Sequence, residues 1–256
     1  MTVKGRLAVI GLGPAGEELL TGQAQAEIKR ARHFFGYQPY LKRLHLQEGQ
    51  TAHASDNREE LDRASAALQL ACKGEPVALV SGGDPGVFAM AAAVLEAVDK
   101  GPQEWREVEL VIVPGITAML AVAARIGAPL GHDFCALSLS DNLKPFKVIE
   151  QRVQACAKAG LVLAFYNPIS KARPWQLGRI FELLRTILPA ETLVIFGRAA
   201  YREGEHINVT KLAQADPDNA DMATCIIIGS RETRLLERTG QETLVYTPRF
   251  LREVGK

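Results

Sequence analysis

A short apolar run that ends in two glycines constrains the fold of this chain more than any other feature. Residues 77–80 read Val-Ala-Leu-Val, residues 81–85 read Ser-Gly-Gly-Asp-Pro, and an alanine-rich stretch follows. This order is typical of a buried strand, a tight turn and the start of a helix. It places one carboxylate, Asp84, at the carboxyl end of a strand, where ligands bind in open α/β sheets.

The first 140 residues alternate between strand and helix patterns. The predicted strands are 6–12, 76–80, 108–113 and 134–139, and the predicted helices are 23–32, 58–73, 86–99 and 116–125. This alternation predicts a mainly parallel sheet with helices on both faces.

The pattern changes after residues 140–145. The later predicted helices are 147–158 and 172–187, and the later strands are 161–166, 192–197, 206–209, 224–229 and 243–246. Short strands late in the chain, several of them paired as hairpins, predict a mixed sheet. We therefore predict two α/β domains, residues 1–142 and residues 143–256.

The bulk composition allows an ordinary soluble enzyme. The chain has 256 residues, is 47% hydrophobic and carries a formal net charge of +1, which gives no reason to expect nucleic acid or a membrane surface as a partner. No apolar stretch reaches about 18 residues, so no membrane span is expected. The first residues run directly into a strand, which leaves no space for a signal peptide, and we expect a cytoplasmic location. The four separated cysteines show no metal-ligand spacing, and we expect reduced thiols and no metal.

Three glycine-containing turns, here called glycine breaks, follow predicted strands. The first, Gly-Leu-Gly-Pro-Ala-Gly at residues 11–16, matches the GxGxxG dinucleotide fingerprint only superficially. Pro14 removes a backbone donor where a pyrophosphate would need one. A turn that brings a large ligand close to the backbone is the favoured interpretation. An NAD(P)-dependent oxidoreductase remains an alternative, opposed by Pro14 and by the lack of an acidic residue after a clear second strand.

The other two breaks have both structural and functional interpretations. Asp84 could cap the following helix, but capping does not explain two adjacent glycines, which would let a ligand lie against the backbone. A carboxylate there can also accept hydrogen bonds from ribose hydroxyls. After Pro114 and Gly115, Thr117 and Ala118 lie where the free N–H groups of a helix start suit a polar or carboxylate group.

Taken together, the glycine breaks resemble those of the S-adenosylmethionine-dependent tetrapyrrole methyltransferases. The resemblance rests on GLGP at 11–14, GGDP at 82–85, PGITA at 114–118 and ATCIIIG at 223–229. Further strings resemble the members that methylate C17 of the macrocycle, namely FGYQPYL at 35–41, APLGHDFC at 128–135, LSDNLKP at 139–145, YNPISKAR at 166–173 and YTPR at 246–249.

The resemblance implies two α/β domains with S-adenosylmethionine in the cleft between them and S-adenosylhomocysteine as product. The donor-binding residues that it implies are Pro14, Gly82, Gly83, Asp84, Val87, Thr117, Ala118, Tyr166, Arg198, Ala199, Met222, Ala223 and Thr224. The substrate-binding residues that it implies are Gly13, Pro14 and Ala15 of the first loop and the cations Lys144, Lys171 and Arg173.

The implied reaction belongs to cobalamin biosynthesis and joins methyl transfer at C17 with contraction of the macrocycle. Contraction requires removal of a hydroxyl proton, which is general acid–base work. The candidate catalytic residues in the family-specific strings are His132, Asp133, Ser140 and Asp141. The structural alternative is that the two aspartates cap turns and that the histidine is a surface residue.

Several alternatives remain open from the sequence. A member acting on a cobalt-bearing substrate is one, although the lack of a cysteine-rich cluster favours a metal-free substrate. A tetrapyrrole carrier without catalytic activity is another, and it would show no affinity for a methyl donor. By resemblance we also expect a homodimer that transiently hands its product over to neighbouring enzymes of the pathway.

Overall fold

The chain divides into two compact units, each built around its own sheet. The computed structural model describes residues 5–56, 59–170 and 172–250. The two units are Met1–Thr117 and Ala118–Lys256. Among the described residues, no helix is both long enough and apolar enough to cross a membrane.

The first unit contains a five-stranded parallel sheet, as predicted. Its strands are β1 (Arg6–Gly11), β2 (His33–Tyr37), β3 (Thr51–Ser55), β4 (Pro76–Ser81) and β5 (Glu109–Val113). Its helices are α1 (Gly22–Arg30), α2 (Gln38–Leu41), α3 (Glu60–Cys72) and α4 (Met90–Lys100), with 3-10 turns at Glu17–Leu19 and Gln103–Glu107. The strand order is β3-β2-β4-β1-β5, and every pairing is parallel.

Both faces of this sheet are buried, which explains why its central strands read as continuous apolar runs. Along β1, Leu7 and Val9 pack into one core cluster with residues of α3 and α4. The alternate residues Ala8 and Ile10 pack into a second cluster with Ala24 of α1. Helices therefore lie on both faces, as the sequence predicted.

Some boundaries in the first unit differ from the prediction. Strands β2 and β3 were not predicted. Strand β3 lies at the edge of the sheet, pairs with β2 and has no fully buried residue. Helix α4 begins at Met90 rather than at residue 86, since Phe88 has a φ of 52°, which no helix tolerates. The predicted start of α3 at Arg58 lies outside the described residues.

The second unit contains a mixed sheet, which also confirms the prediction. Its strands are β6 (Gly127–Ala128), β7 (Phe134–Ser138), β8 (Val162–Tyr166), β9 (Leu193–Arg198), β10 (His206–Lys211), β11 (Thr224–Ile228), β12 (Arg234–Leu236) and β13 (Leu244–Tyr246). Its helices are α5 (Ala118–Ile126), α6 (Phe146–Lys158) and α7 (Gln176–Arg185), with 3-10 turns at Leu212–Gln214 and Pro217–Asn219. The main sheet has the order β10-β9-β11-β8-β7, and a small sheet has the order β12-β13-β6.

The division between the units falls earlier in the chain than the sequence analysis placed it. Strand β7 pairs in parallel with β8, from Phe134 opposite Val162 to Ser138 opposite Tyr166. Strand β7 therefore belongs to the second unit, which begins with helix α5 at Ala118 and not near residue 142. Strand pairing is the physical reason, because β7 alone carries no signal of which sheet it joins.

Two glycines, Gly11 and Gly115, allow the loops that follow β1, β4 and β5 to pack backbone against backbone. A Cβ added at Gly11 would lie 2.6 Å from the carbonyl oxygen of Gly83. A Cβ added at Gly115 would lie 2.3 Å from the same oxygen. No side chain fits at either position unless the backbone moves.

We predict that Gly115→Ala destabilises the protein by at least about 1–3 kcal/mol, the usual cost of forcing extra atoms into a packed region. Gly22→Ala is the matched control, because nothing lies within 4 Å of its added Cβ and Gly22 is the first residue of α1. Thermal unfolding measures both variants. Equal midpoints for the two would contradict the packing argument.

Candidate functional site

The loops after β1 and β4 are joined by a pair of backbone hydrogen bonds. The N–H of Gly13 donates to the carbonyl of Gly83 over 3.0 Å, and the N–H of Gly83 donates back over 3.1 Å. Both residues have positive φ, 61° and 64°, a conformation that favours glycine. This bridge holds two of the predicted ligand loops together at the carboxyl edge of the parallel sheet.

Contacts and backbone conformation within the protein require both glycines of the GGDP turn, Gly82 and Gly83. A Cβ at Gly82 would lie 2.7 Å from a ring carbon of Tyr40, and Gly83 needs its positive φ. The structure thus explains both glycines by contacts within the protein, whereas the sequence analysis explained them by a ligand. A role of this turn in ligand binding stays a prediction.

Asp84 connects two loops through its carboxylate. One oxygen accepts a hydrogen bond from the N–H of Gly86 over 2.8 Å, and the other accepts from the N–H of Gly115 over 3.0 Å. It does not cap α4, which begins six residues later at Met90. Since an ionised carboxylate accepts about four hydrogen bonds, each oxygen can also accept from a ligand hydroxyl.

The first loop offers few donors for a phosphate group. The N–H of Leu12 donates to Ser81, that of Gly13 donates to Gly83, and Pro14 has none. A dinucleotide pyrophosphate needs several free N–H groups at this position. The loop therefore does not fit the oxidoreductase alternative.

The other residues of the first unit that were predicted to bind the methyl donor lie in the turn after β4 and directly before α5. Val87 is half-buried, and its N–H donates to the carbonyl of Asp84 over 3.3 Å. The next residue, Phe88, has a φ of 52° and is half exposed. Thr117 is buried.

In the second unit, Tyr166 lies at the carboxyl end of β8 and contacts the start of α5. Its hydroxyl oxygen accepts a hydrogen bond from the N–H of Met119 over 3.0 Å, which brings it beside Ala118. The next residue, Asn167, has a φ of 51°, and its side-chain amide donates to the hydroxyl of Ser138 over 3.0 Å. The structure thus groups two of the predicted donor-site residues, Tyr166 and Ala118.

The residues near β9 and β11 that were predicted to bind the methyl donor also come together. Thr224 pairs with Arg198 across β11 and β9, and the N–H of Ala199 donates to the carbonyl of Ala223 over 3.0 Å. Met222 is 56% exposed and is available to a ligand.

Asp221, which was not among the predicted site residues, holds this group in place. Its carboxylate accepts from Arg198 Nε over 2.8 Å, from the N–H of Ala223 over 2.8 Å and from the hydroxyl of Thr224 over 2.9 Å. Burial alone would raise the pKa of Asp221, but these donors together lower it below the usual carboxyl value. No motif marked this residue, because its partners are known only once β9 and β11 pair.

The turn after β9 is strained, and Glu205, also missed from sequence, supports it. Ala199 and Tyr201 have φ values of 48° and 63°, which cost energy in residues other than glycine. Glu205 accepts hydrogen bonds from the N–H of Tyr201 and from Arg125. The Arg125 guanidinium lowers the pKa of Glu205, so this carboxylate stays ionised.

The four candidate catalytic residues do not form one cluster. His132 and Asp133 precede β7, whereas Ser140 and Asp141 follow it. Five residues of strand at about 3.3 Å each separate the two pairs by roughly 17 Å. Ser140 and Asp141 lie at the same end of the sheet as Tyr166, because Ser138 pairs with Tyr166 in the strand register.

Asp141 and Arg173 form an ion pair, which the sequence analysis did not foresee. The guanidinium Nη1 lies 2.6 Å from a carboxylate oxygen of Asp141 and also donates to Asn142. Burial raises the pKa of Asp141, but the hydrogen bond from Arg173 and other donors outweigh it, and the net pKa is lowered. Arg173 thus contacts the loop after β7 through Nη1, and its role in binding a substrate carboxylate stays a prediction.

The other two cations predicted to bind substrate are Lys144 and Lys171. Lys144 is half-buried, and burial together with the charge of Arg152 lowers its pKa. Lys171 lies outside the described residues. In the part of the chain that the structure describes, no group of three or more His, Cys, Asp or Glu side chains is arranged to hold a metal ion.

Comparison with known proteins yields a family and close relatives. The family model for Tetrapyrrole (Corrin/Porphyrin) Methylases matches residues 6–216. A precorrin-3B C(17)-methyltransferase of Sinorhizobium sp is 65% identical over 96% of this chain and 97% of its own length. A probable cobalt-factor III C(17)-methyltransferase of Salmonella typhimurium is 38% identical over 95% of this chain and 98% of its own length.

Solved structures agree with these relatives. The crystal structure of the methyltransferase CobJ superimposes with a TM-score of 0.91 at 48% identity, covering 96% of this chain and all of that one. A uroporphyrin-III C-methyl transferase from Thermus thermophilus, complexed with S-adenyl homocysteine, has a TM-score of 0.67 at 21% identity, with 88% and 97% coverage. The second likeness shows a shared fold.

Proposed function

Because the chain belongs to the tetrapyrrole (corrin/porphyrin) methylase family, we propose that it methylates C17 of precorrin-3B with S-adenosylmethionine and promotes contraction of the ring to give precorrin-4. The observation that carries this proposal is the 65% identity, over nearly the full length of both chains, to the precorrin-3B C(17)-methyltransferase of Sinorhizobium sp. The corresponding identity to the cobalt-factor III relative is 38%, so the metal-free substrate is the better supported one.

The loops described above fit a methyl donor better than a dinucleotide. S-adenosylmethionine supplies a positively charged sulfonium and an activated methyl group, and its transfer depends mainly on alignment with the nucleophile. A positively charged ligand needs no cradle of free N–H groups, which agrees with the few donors left in the loop after β1. The Asp84 carboxylate, fixed at both oxygens, can accept from the donor's ribose hydroxyls.

Ring contraction needs a proton acceptor in addition to alignment. Ser140 and Asp141 follow the same end of β7 that pairs with Tyr166, so they are the candidates best placed beside the donor-type residues. His132 and Asp133 lie at the other end of that strand. We assign the acid–base step to the Ser140–Asp141 segment, with the Asp141 carboxylate as proton acceptor.

We predict that wild-type protein binds one S-adenosylhomocysteine per chain and that Asp84→Ala weakens this binding by about 10- to 100-fold. The variant loses the acceptor for a ligand hydroxyl, and the N–H groups of Gly86 and Gly115 lose their hydrogen-bond acceptor. The loss of binding free energy should be about 1–3 kcal/mol, the scale for polar groups left without a partner. Calorimetric titration measures both affinities. Asp99→Ala is the control, because it removes an exposed carboxylate that pairs with Arg106. Unchanged affinity in Asp84→Ala would remove Asp84 from the donor site.

We predict that Asp141→Asn binds S-adenosylhomocysteine normally but loses about 10²–10⁴-fold in turnover, the usual contribution of general acid–base catalysis. Arg173→Met should separate a basic role of Asp141 from a structural one. Removing the guanidinium removes a hydrogen bond and a positive charge that both lower the pKa of Asp141, so that pKa rises. The acid limb of the pH–rate profile should then move to higher pH, with activity retained above it.

Two results would contradict the role given to Asp141. Equal loss of turnover at all pH values in Asp141→Asn and Arg173→Met would mean that the pair only holds the loop. A greater loss of contraction in His132→Ala than in Asp141→Asn would move the step to the other end of β7. Separate quantification of methylated and ring-contracted products makes this distinction.

We also propose that the enzyme acts in the cytoplasm as a homodimer and hands its product over transiently to neighbouring enzymes of the pathway. Support for these points comes from the family resemblance. The mass of one chain is 27.8 kDa, so light scattering should give about twice that value. A mass near 27.8 kDa at micromolar concentration would contradict the dimer.

A further inference from the structure

Arg43, which was not among the predicted site residues, contacts the loop after β1 at three points. Its Nη2 atom lies 2.7 Å from the carbonyl oxygen of Leu12, 3.0 Å from that of Gly13 and 2.5 Å from that of Ala15. These carbonyls belong to the loop to which the sequence analysis gave the substrate contacts. Hydrogen bonds from a charged donor are among the stronger ones in proteins, so this contact holds the loop in one conformation.

The contact with Ala15 also orients the next peptide group. A trans peptide is planar, and its C=O and N–H point in opposite directions. Because Arg43 holds the carbonyl of Ala15, the N–H of Gly16 points away from the guanidinium. Ala15 is buried, whereas Gly16 is exposed, and the Gly16 N–H has no hydrogen-bond partner among the described residues.

We propose that Arg43 is a positioning residue that directs the N–H of Gly16 toward an oxygen of the substrate, such as a side-chain carboxylate of the tetrapyrrole. The proposal rests on the proposed function, since it takes the substrate to be a polycarboxylate. It adds Gly16 to the substrate contacts of this loop and gives a reason for a cation behind it. Pro14 has no N–H, so the loop depends on its later amides for donation.

A proline at position 16 removes the N–H of Gly16. Gly16 has a φ of −77°, which lies within the range that proline adopts. Gly16→Ala is the matched control, because it adds the same Cβ and keeps the N–H. In both variants the added Cβ would meet the carboxylate end of the flexible Glu18 side chain, at 2.7 Å. Gly16→Pro should raise the KM for precorrin-3B about 10-fold relative to Gly16→Ala, with the affinity for S-adenosylhomocysteine unchanged.

A graded series at Arg43 tests the positioning role. Lysine keeps the charge but is shorter by about one bond, so Arg43→Lys should fall between wild type and Arg43→Met, which keeps bulk and loses all three hydrogen bonds. We expect kcat/KM for precorrin-3B to fall about 10²-fold in Arg43→Met, the cost of a small misplacement in a substrate-positioning segment. Arg106→Lys is the control, because Arg106 also donates to a backbone carbonyl, that of Asp99, at an exposed site.

The outcomes separate this inference from the proposed function. Wild-type protein that fails to methylate precorrin-3B contradicts the proposed function. Active wild-type protein with equal KM values in Gly16→Pro and Gly16→Ala overturns this inference alone. A lower melting temperature in Arg43→Lys with unchanged KM also overturns it, because that result is the signature of a structural role. If Arg43→Met does not fold, Arg43→Lys and the Gly16 pair decide the question.

Discussion

The two hydrogen bonds between Gly13 and Gly83 are the contact on which the rest of the carboxyl edge of the first unit's sheet depends. They join the loops after β1 and β4. Because Gly11 and Gly115 have no side chains, the loop after β5 can approach the carbonyl of Gly83. Side chains at these positions would separate the loops. Asp84 then adds a link from the β4 turn to Gly115. The result is a rigid edge made mainly of backbone, which suits a ligand whose reaction depends on alignment.

Local strain follows the same edges of the two sheets. The described residues other than glycine with positive φ are Phe88, Asn167, Ala199 and Tyr201. Phe88 lies in the turn after β4, Asn167 directly follows β8, and the other two follow β9. Strained conformations persist only where surrounding contacts enforce them, and they cluster at functional sites. In the second unit, Glu205 and Ser138 supply two of those contacts.

Much of the fold was predictable from the sequence because its signals are local. Continuous apolar runs followed by glycine mark the buried strands β1 and β4, and helical spacing marks α3. The edge strand β3 was missed, since its side chains are largely exposed and only its backbone pairing with β2 defines it. The assignment of β7 to the second sheet likewise depends on its pairing with β8.

By itself, the sequence determined the alternation of strands and helices, the loops that bear the candidate ligand contacts, and the family to which those loops belong. Short motifs carry this information because turn chemistry and hydrophobic period act over a few residues. Only the tertiary structure decided which polar groups meet. It paired Asp141 with Arg173 across 32 residues, placed Arg43 behind a loop about 30 residues earlier, and put His132 at the far end of β7 from Asp141. Such partners come from strand order and packing, which no local pattern encodes.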